Sequence, residues 1–126
     1  MVKSISFFLF LITFLFTSFV ISQPYGWYLQ TSGTTSNLNN VKFFNTNTGT
    51  VVGQSGKILR TTNSGVNWIS QTSGTTNHLF GVHFINTNTG WAIGDIGTIL
   101  KTTNGGTSWI TQTSNILYQL RSINFL

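Results

Sequence analysis

Few side chains in this sequence are able to do chemistry. Asp95 is the single carboxylate among 126 residues, cysteine is absent, and the histidines are His78 and His83. Hydrolysis of a glycosidic bond generally uses two carboxyl groups flanking that bond, so these residues alone do not hold such machinery. Asp95 stands in GDIG (94–97), where it reads as a turn residue. The residues 41 positions before His78 and His83 are Asn37 and Lys42, so neither histidine belongs to a repeated ligand set. No Cys or second acid stands at metal-ligand spacing. Serine and threonine are abundant, but there is no G-x-S-x-G elbow. The glycines of GDIG and NGG (104–106) lack the lysine and following helix of a phosphate loop. Catalytic residues, metal ligands and a cofactor are therefore not expected here.

The cations remain. Net charge is +5, carried by six Lys and Arg that are dispersed along the chain. A nucleic-acid footprint is a cluster or stripe of such residues, so nucleic acid is not an expected partner. Lys57, Arg60 and Lys101 are the candidate binding residues. Arg60 and Lys101 are 41 residues apart, with Lys57 near the first.

That interval of 41 organises the whole sequence. QTSGTTSNLNNVKFFNTNTGTVVGQSGKILRTTNSGVNWIS (30–70) falls on QTSGTTNHLFGVHFINTNTGWAIGDIGTILKTTNGGTSWIT (71–111) without a gap, with 24 of 41 positions identical. Each unit divides into four short segments rich in β-formers and separated by turn residues. In the first unit these are a (38–44), b (50–53), c (57–61) and d (67–72). NTNTG breaks a from b, Gln54-Ser55-Gly56 is a tight connection suited to a left-handed glycine and a bulge, and Thr62 to Gly65 turns c into d. No segment shows a period of 3.6 and glycines interrupt every stretch, which excludes a helical repeat. Four strands recurring every 40–45 residues is the signature of a β-propeller blade. The fold class expected is all-β, with four-stranded antiparallel blades. Equivalent positions then lie on one rim, so Arg60 and Lys101 are expected to form part of a cationic ring facing an acidic partner, or else to protect strand edges.

The c–d turn is written twice, TTNSGVNW (61–68) and TTNGGTSW (102–109). Asn63 and Asn104 are placed to accept backbone N–H groups as Asx turns do. Gly65 and Gly106 permit positive φ. Trp68 and Trp109 return their rings onto the sheet, and Trp27 stands 41 residues before Trp68. Burying an indole removes roughly 150–250 Å² from water. The motif is read as a blade fastener, repeated because every blade needs one.

The pattern G-x-I-L-x-T-x-N-x-G-x-x-W, carried by Gly56, Ile58, Leu59, Thr61, Asn63, Gly65 and Trp68, recurs at Gly97, Ile99, Leu100, Thr102, Asn104, Gly106 and Trp109. It resembles the Asp-box (BNR) repeats of β-propellers. More closely, it resembles the repeats of the photosynthesis system II assembly or stability factor family. The resemblance covers essentially all of residues 24–126. It implies a mostly non-enzymatic propeller that assists assembly, with related repeats in exported proteins unconnected with photosynthesis. The family's usual Asp is Asn63 and Asn104 in this sequence, which keeps the acceptor and removes the charge.

Read from the N-terminus, residues 1–22 carry Lys3 and then an apolar run from Ile5 to Val20, with Val20 and Ser22 small enough for cleavage before Gln23. A signal peptide is expected, with a retained anchor as its rival. The remaining chain is then exported to the periplasm, cell surface or extracellular space, with no membrane span after cleavage. Residues 23–126 are expected to hold a lone d strand (25–31), two blades (38–72 and 79–113) and the first strand of another (117–126). That is about two and a half blades, where closed propellers have roughly four to eight. The expectation is an N-terminal fragment whose partners include the remaining blades of a longer chain, with head-to-tail assembly of a short protein as the rival. Two functions stay open: a scaffold that binds protein, and a secreted Asp-box glycoside hydrolase of the sialidase or xyloglucanase type with catalytic residues beyond residue 126.

Overall fold

The computed structural model describes residues 29–126. The forecast leader at 1–22, Trp27 and most of the forecast strand 25–31 lie outside the described residues. Among the described residues no helix is long and apolar enough to cross a membrane.

Among the described residues eight strands form two four-stranded antiparallel sheets. The first contains β1 (Leu38–Phe43), β2 (Gly49–Gly53), β3 (Ile58–Thr61) and β4 (Ile69–Gln71) in spatial order β1-β2-β3-β4. The second contains β5 (Leu79–Phe84), β6 (Gly90–Gly94), β7 (Ile99–Thr102) and β8 (Ile110–Gln112) in the order β5-β6-β7-β8. Each sheet is a meander of neighbours, the topology of a propeller blade, and the fold is all-β.

The connections follow from turn chemistry. Asn45 Oδ1 accepts the N–H groups of Asn47 and Thr48 at 2.9 and 2.7 Å, closing β1 onto β2, and Asn86 repeats this before β6. Between β2 and β3 runs a single 3-10 turn, Gln54–Gly56, in which Ser55 (φ 54°) and Gly56 (φ 67°) are both left-handed. Its counterpart Asp95–Gly97 puts Ile96 at φ 53°. The bulge expected at this connection lies elsewhere: register slips between Leu38 and Asn40, and again between Leu79 and Gly81, so Asn39 and Phe80 are the extra residues. A bulge re-aims a side chain, and Asn39 uses it to donate Nδ2–H to Leu79 O of the second sheet at 2.8 Å.

Alternation along each strand gives a sheet two faces. The register places Val41, Val51 and Leu59 on one face of the first sheet and Val52 and Ile58 on the other. The core lies between the sheets. Val52 and Ile58 of the first meet Leu79, Val82, Phe84, Ala92, Leu100 and Trp109 of the second. The second sheet thus packs its forward face on the rear face of the first.

Residues 117–126, forecast as the first strand of another blade, form no strand. They lie along the rear face of the second sheet, where Leu120 N–H donates to Gly94 O at 2.9 Å and the Phe125 ring lies tilted against Trp91, 4.6 Å between centres. The physical reason is pairing. Segment a becomes a strand in β1 and β5 by bonding to β2 and β6, and no such neighbour borders 117–126 among the described residues.

Candidate functional site

The repeated c–d turn is built around one side-chain acceptor. Asn63 Oδ1 receives the N–H of Asn67 at 3.0 Å and the hydroxyl of Thr61 at 2.9 Å, while Thr61 Oγ1 accepts Gly65 N–H at 2.9 Å. Asn104, Thr102, Ser108 and Gly106 repeat the set at 2.9, 3.0 and 2.8 Å. Gly65 and Gly106 stand at φ 86° and 85°. A Cβ at Gly106 would run into the Gln71 amide, so glycine is required there for close approach as well as for conformation. The turn is also tied to the a–b turn, through Ser64 N–H to Asn47 O at 2.9 Å and Gly105 N–H to Asn88 O at 2.8 Å.

The indoles differ between copies. Trp109 is buried and meets Phe84 edge-on at 6.0 Å; Trp68 meets Phe43 in the same way at 6.1 Å but is half-exposed. Gln30 and Gln71 lie against the glycines of the two turns, Gly65 and Gly106. Gln71 Nε2–H donates to Gly105 O at 3.1 Å. Sequence reasoning passed over these glutamines, although the QTSGT repeat at 30, 71 and 112 carried the signal.

The three candidate cations do not form one group. Arg60 lies inside the contact between sheets: its Nη2–H donates to Thr87 O at 2.7 Å, Nη1–H to Thr50 Oγ1 at 3.3 Å, and its guanidinium sits 5.2 Å from the centre of the Phe84 ring. Burial pushes its pKa below the ordinary arginine value. Lys101, on the equivalent position, rests over Trp91 of its own sheet at 5.3 Å. Lys57 belongs to the opposite end of β3, beside the 3-10 turn, where Gly56 abuts the Ser73–Thr75 connection as Gly97 abuts Ser114–Ile116. Both cations of the forecast rim are half-buried over an aromatic ring, Arg60 against the second sheet and Lys101 on its own sheet.

Asp95 begins the second 3-10 turn, where its backbone O accepts Thr98 N–H and Oγ1–H at 3.0 and 2.6 Å. His78 Nδ1 accepts Ser55 N–H across the sheets at 2.9 Å. His83 is buried against Phe125 at 5.4 Å, and burial followed by the charge of Lys42 holds its pKa below the usual histidine value. Among the described residues no three His, Cys, Asp or Glu come together.

Several hollows open on the described residues, and one of them lies on a sheet face. A groove of about 550 Å³ runs across the forward face of the first sheet, lined by Gln30, Leu38, Val41, Val51, Leu59 and Trp68. Its lining is mixed, with the Gln30 amide at one wall and aliphatic side chains on the floor. Such a surface suits an apolar or extended ligand.

No protein-family profile matches the chain, and no curated protein matches it. Among solved structures, that of YCF48 bound to D1 peptide is similar, with a TM-score of 0.59 and 26% sequence identity over 64% of this chain. The chain covers 27% of that chain's length. The likeness supports a propeller-type family for the two sheets described above.

Proposed function

We propose that this chain is an exported, non-enzymatic β-propeller segment that serves as a scaffold for protein interaction. On this reading the T-x-N-x-G-x-x-W turns are Asp-box turns with Asn in place of Asp. The chain is then similar to photosystem II assembly factor-like repeat proteins without the photosynthetic role. The observation that carries the proposal is the likeness to YCF48, a propeller solved with a peptide bound. The residues agree with it. The candidate cations are engaged with aromatic rings or set apart, Asp95 is a turn residue, and the groove on the first sheet is lined without a carboxylate. Rigid sheets with exposed loops suit binding.

Panning a random-peptide display library on the full chain tests the reading. Enrichment of a convergent sequence class is the expected result. A library that yields no convergent binder, from a chain that cleaves xyloglucan or sialosides, would reverse it. Export is tested separately, by N-terminal sequencing of the product from an exporting host; a start at Gln23 is expected.

A further inference from the structure

The two c–d turns share a scaffold and differ at the residues that bear on one reaction. Asn104 is the one asparagine of the chain that glycine follows; its counterpart Asn63 precedes Ser64. Both asparagines are exposed. An asparagine amide beside a glycine is open to attack by the next backbone nitrogen, because no Cβ crowds the approach. Ser64 does bring a Cβ, and it holds φ 61° where Gly105 stands at φ 67°.

The fold then sets further groups around Asn104. Its Oδ1 accepts Ser108 N–H at 2.9 Å and the Thr102 hydroxyl at 3.0 Å. These donors are aimed at the oxygen on which negative charge builds in a tetrahedral intermediate. Asn63 has the same pair, from Asn67 and Thr61. Asn104 Nδ2–H donates to Ser108 Oγ at 2.9 Å, so a hydroxyl stands at the nitrogen that would leave and can hand it a proton. Position 67 holds Asn and offers no hydroxyl. Arg60 of the first sheet brings its guanidinium against Gly105, where a Cβ would stand 3.3 Å from Nη2. A cation beside a titrating nitrogen favours the deprotonated form. The bond from Gly105 N–H to Asn88 O, 2.8 Å long, is the contact that the attack must break.

We propose that Asn104 is a self-modification site, where the chain converts its own asparagine to aspartate and isoaspartate while Asn63 persists. The Gly105 nitrogen forms a bond to Asn104 Cγ and gives up its proton. The Cγ–Nδ2 bond breaks, and the amide nitrogen departs with that proton as ammonia. The five-membered imide that results takes up one water, which opens either of its two carbonyl–nitrogen bonds in the ring. Opening at Cγ leaves an aspartate, which still accepts from Ser108 N–H and the Thr102 hydroxyl. Opening at the main-chain carbonyl routes the backbone through the side chain and adds a methylene, which draws Gly105 N–H off Asn88 O. Either product gives the chain its second side-chain carboxylate. The proposal is independent of the protein-binding reading.

The full chain is aged in mildly alkaline buffer and its digest followed by mass spectrometry, with isoaspartate read by a methyltransferase assay. A gain of one mass unit is expected in the fragment holding Asn104 and none, over the same time, in that holding Asn63. Gly105→Ser, which copies the first turn, is expected to slow the gain at least about tenfold. Ser108→Ala is expected to slow it by a smaller factor. Ser64→Gly gives the first turn the same residue pair, and Asn63 is then expected to react, but more slowly than Asn104 for want of a hydroxyl at position 67. Arg60→Met separates chemistry from loosening: loss of the cation slows the reaction, whereas a looser turn would speed it. Circular dichroism of each variant verifies the fold. An Asn104 as durable as Asn63 overturns the proposal. Equal rates at the two turns of Ser64→Gly, or a faster reaction in Arg60→Met, also overturn it, since the surrounding groups would then have no part. None of these results bears on protein binding, which the display library tests.

Discussion

Trp68 Nε1–H points at Gln30 Oε1 across 3.5 Å. One repeat later the same two positions hold Trp109 Nε1 and Gln71 Oε1, which are the buried side-chain polar atoms without a hydrogen-bond partner among the described residues. The glutamine amide lies against the c–d turn in both copies, Gln30 at Gly65 and Gln71 at Gly106. In the second copy the tie runs to the backbone of the turn instead, from Gln71 Nε2–H to Gly105 O at 3.1 Å.

The two tryptophans therefore differ in their cost on removal. Trp109 lies in the core and Trp68 on the open groove. Trp109→Ala is expected to destabilise the chain by about 3–5 kcal/mol, the range for large aromatic truncations in a core. Trp68→Ala is expected to cost about half of that or less, since part of its ring is already in water. Trp109→Phe keeps the packing on Phe84 and removes the N–H that lacks a partner, so its cost is expected below about 1.5 kcal/mol. Urea unfolding of the three variants checks the order. Equal losses at Trp68 and Trp109 would contradict it.

A gain in stability is expected at Ile96. This β-branched residue holds φ 53° in the 3-10 turn and is exposed. Left-handed backbone costs an L-residue roughly 1–2 kcal/mol, and Asn bears it more easily. Ile96→Asn should raise the melting temperature by a few degrees, corresponding to about 0.5–1 kcal/mol. Ser55, the same position one repeat earlier, is a small polar residue, and Ser55→Ile is expected to do the reverse. A melting temperature lowered by Ile96→Asn would show that the side chain contributes more than the backbone strain removes.

The repeat made strand order and turn positions within each sheet legible, because turn residues and alternation act within a few residues; the strand forecast at 117–126 failed because it lacks a pairing neighbour among the described residues. Covering of a face was not legible. Val41 and Val82 occupy identical positions in the repeat, and their burial differs because one has a neighbouring sheet and the other does not. Arg60 and Lys101 diverge for the same reason: the second sheet brings Phe84 and Thr87 to Arg60. The bulge at Asn39 and Phe80 left no mark in the alternation, since Asn39 faces a carbonyl of the next sheet rather than a local partner. Gln30 and Gln71 were visible as repeated letters, but their role depends on a turn that arrives 38 residues later in the chain.

His83 links stability to pH. Its pKa is lowered in the folded chain from the ordinary value of 6.5, first by burial and then by Lys42. The unfolded chain therefore binds the proton more readily. The stabilisation is complete above the unfolded value and is lost as pH falls from there to the folded-state value, below which no more is lost. The urea midpoint is expected to drop as pH falls below the ordinary histidine value of 6.5, and His83→Asn should flatten that part of the profile. Lys42→Gln should make the drop shallower without removing it. A variant profile parallel to wild type would assign the pH dependence to another group.

Arg60 and Lys101 settle whether equivalent cations share a role. Were they a binding rim, Arg60→Glu and Lys101→Glu would both leave the fold intact. The contacts argue otherwise for Arg60, whose guanidinium bonds Thr87 O and lies over Phe84 between the sheets. Replacing it by Glu removes charged hydrogen bonds, worth about 1.5–3 kcal/mol each, and sets a carboxylate against an aromatic ring. Arg60→Glu is expected to lower stability by about 2 kcal/mol or more, and Arg60→Met, which retains the stem, by less. Lys101 stacks on Trp91 at 5.3 Å with no hydrogen bond recorded among the described residues, so Lys101→Glu is expected to cost under about 1 kcal/mol. Guanidinium chloride is unsuitable for the comparison because it screens charge; urea at fixed ionic strength gives the difference. Equal, small losses at both positions would restore Arg60 to the surface as a free cation.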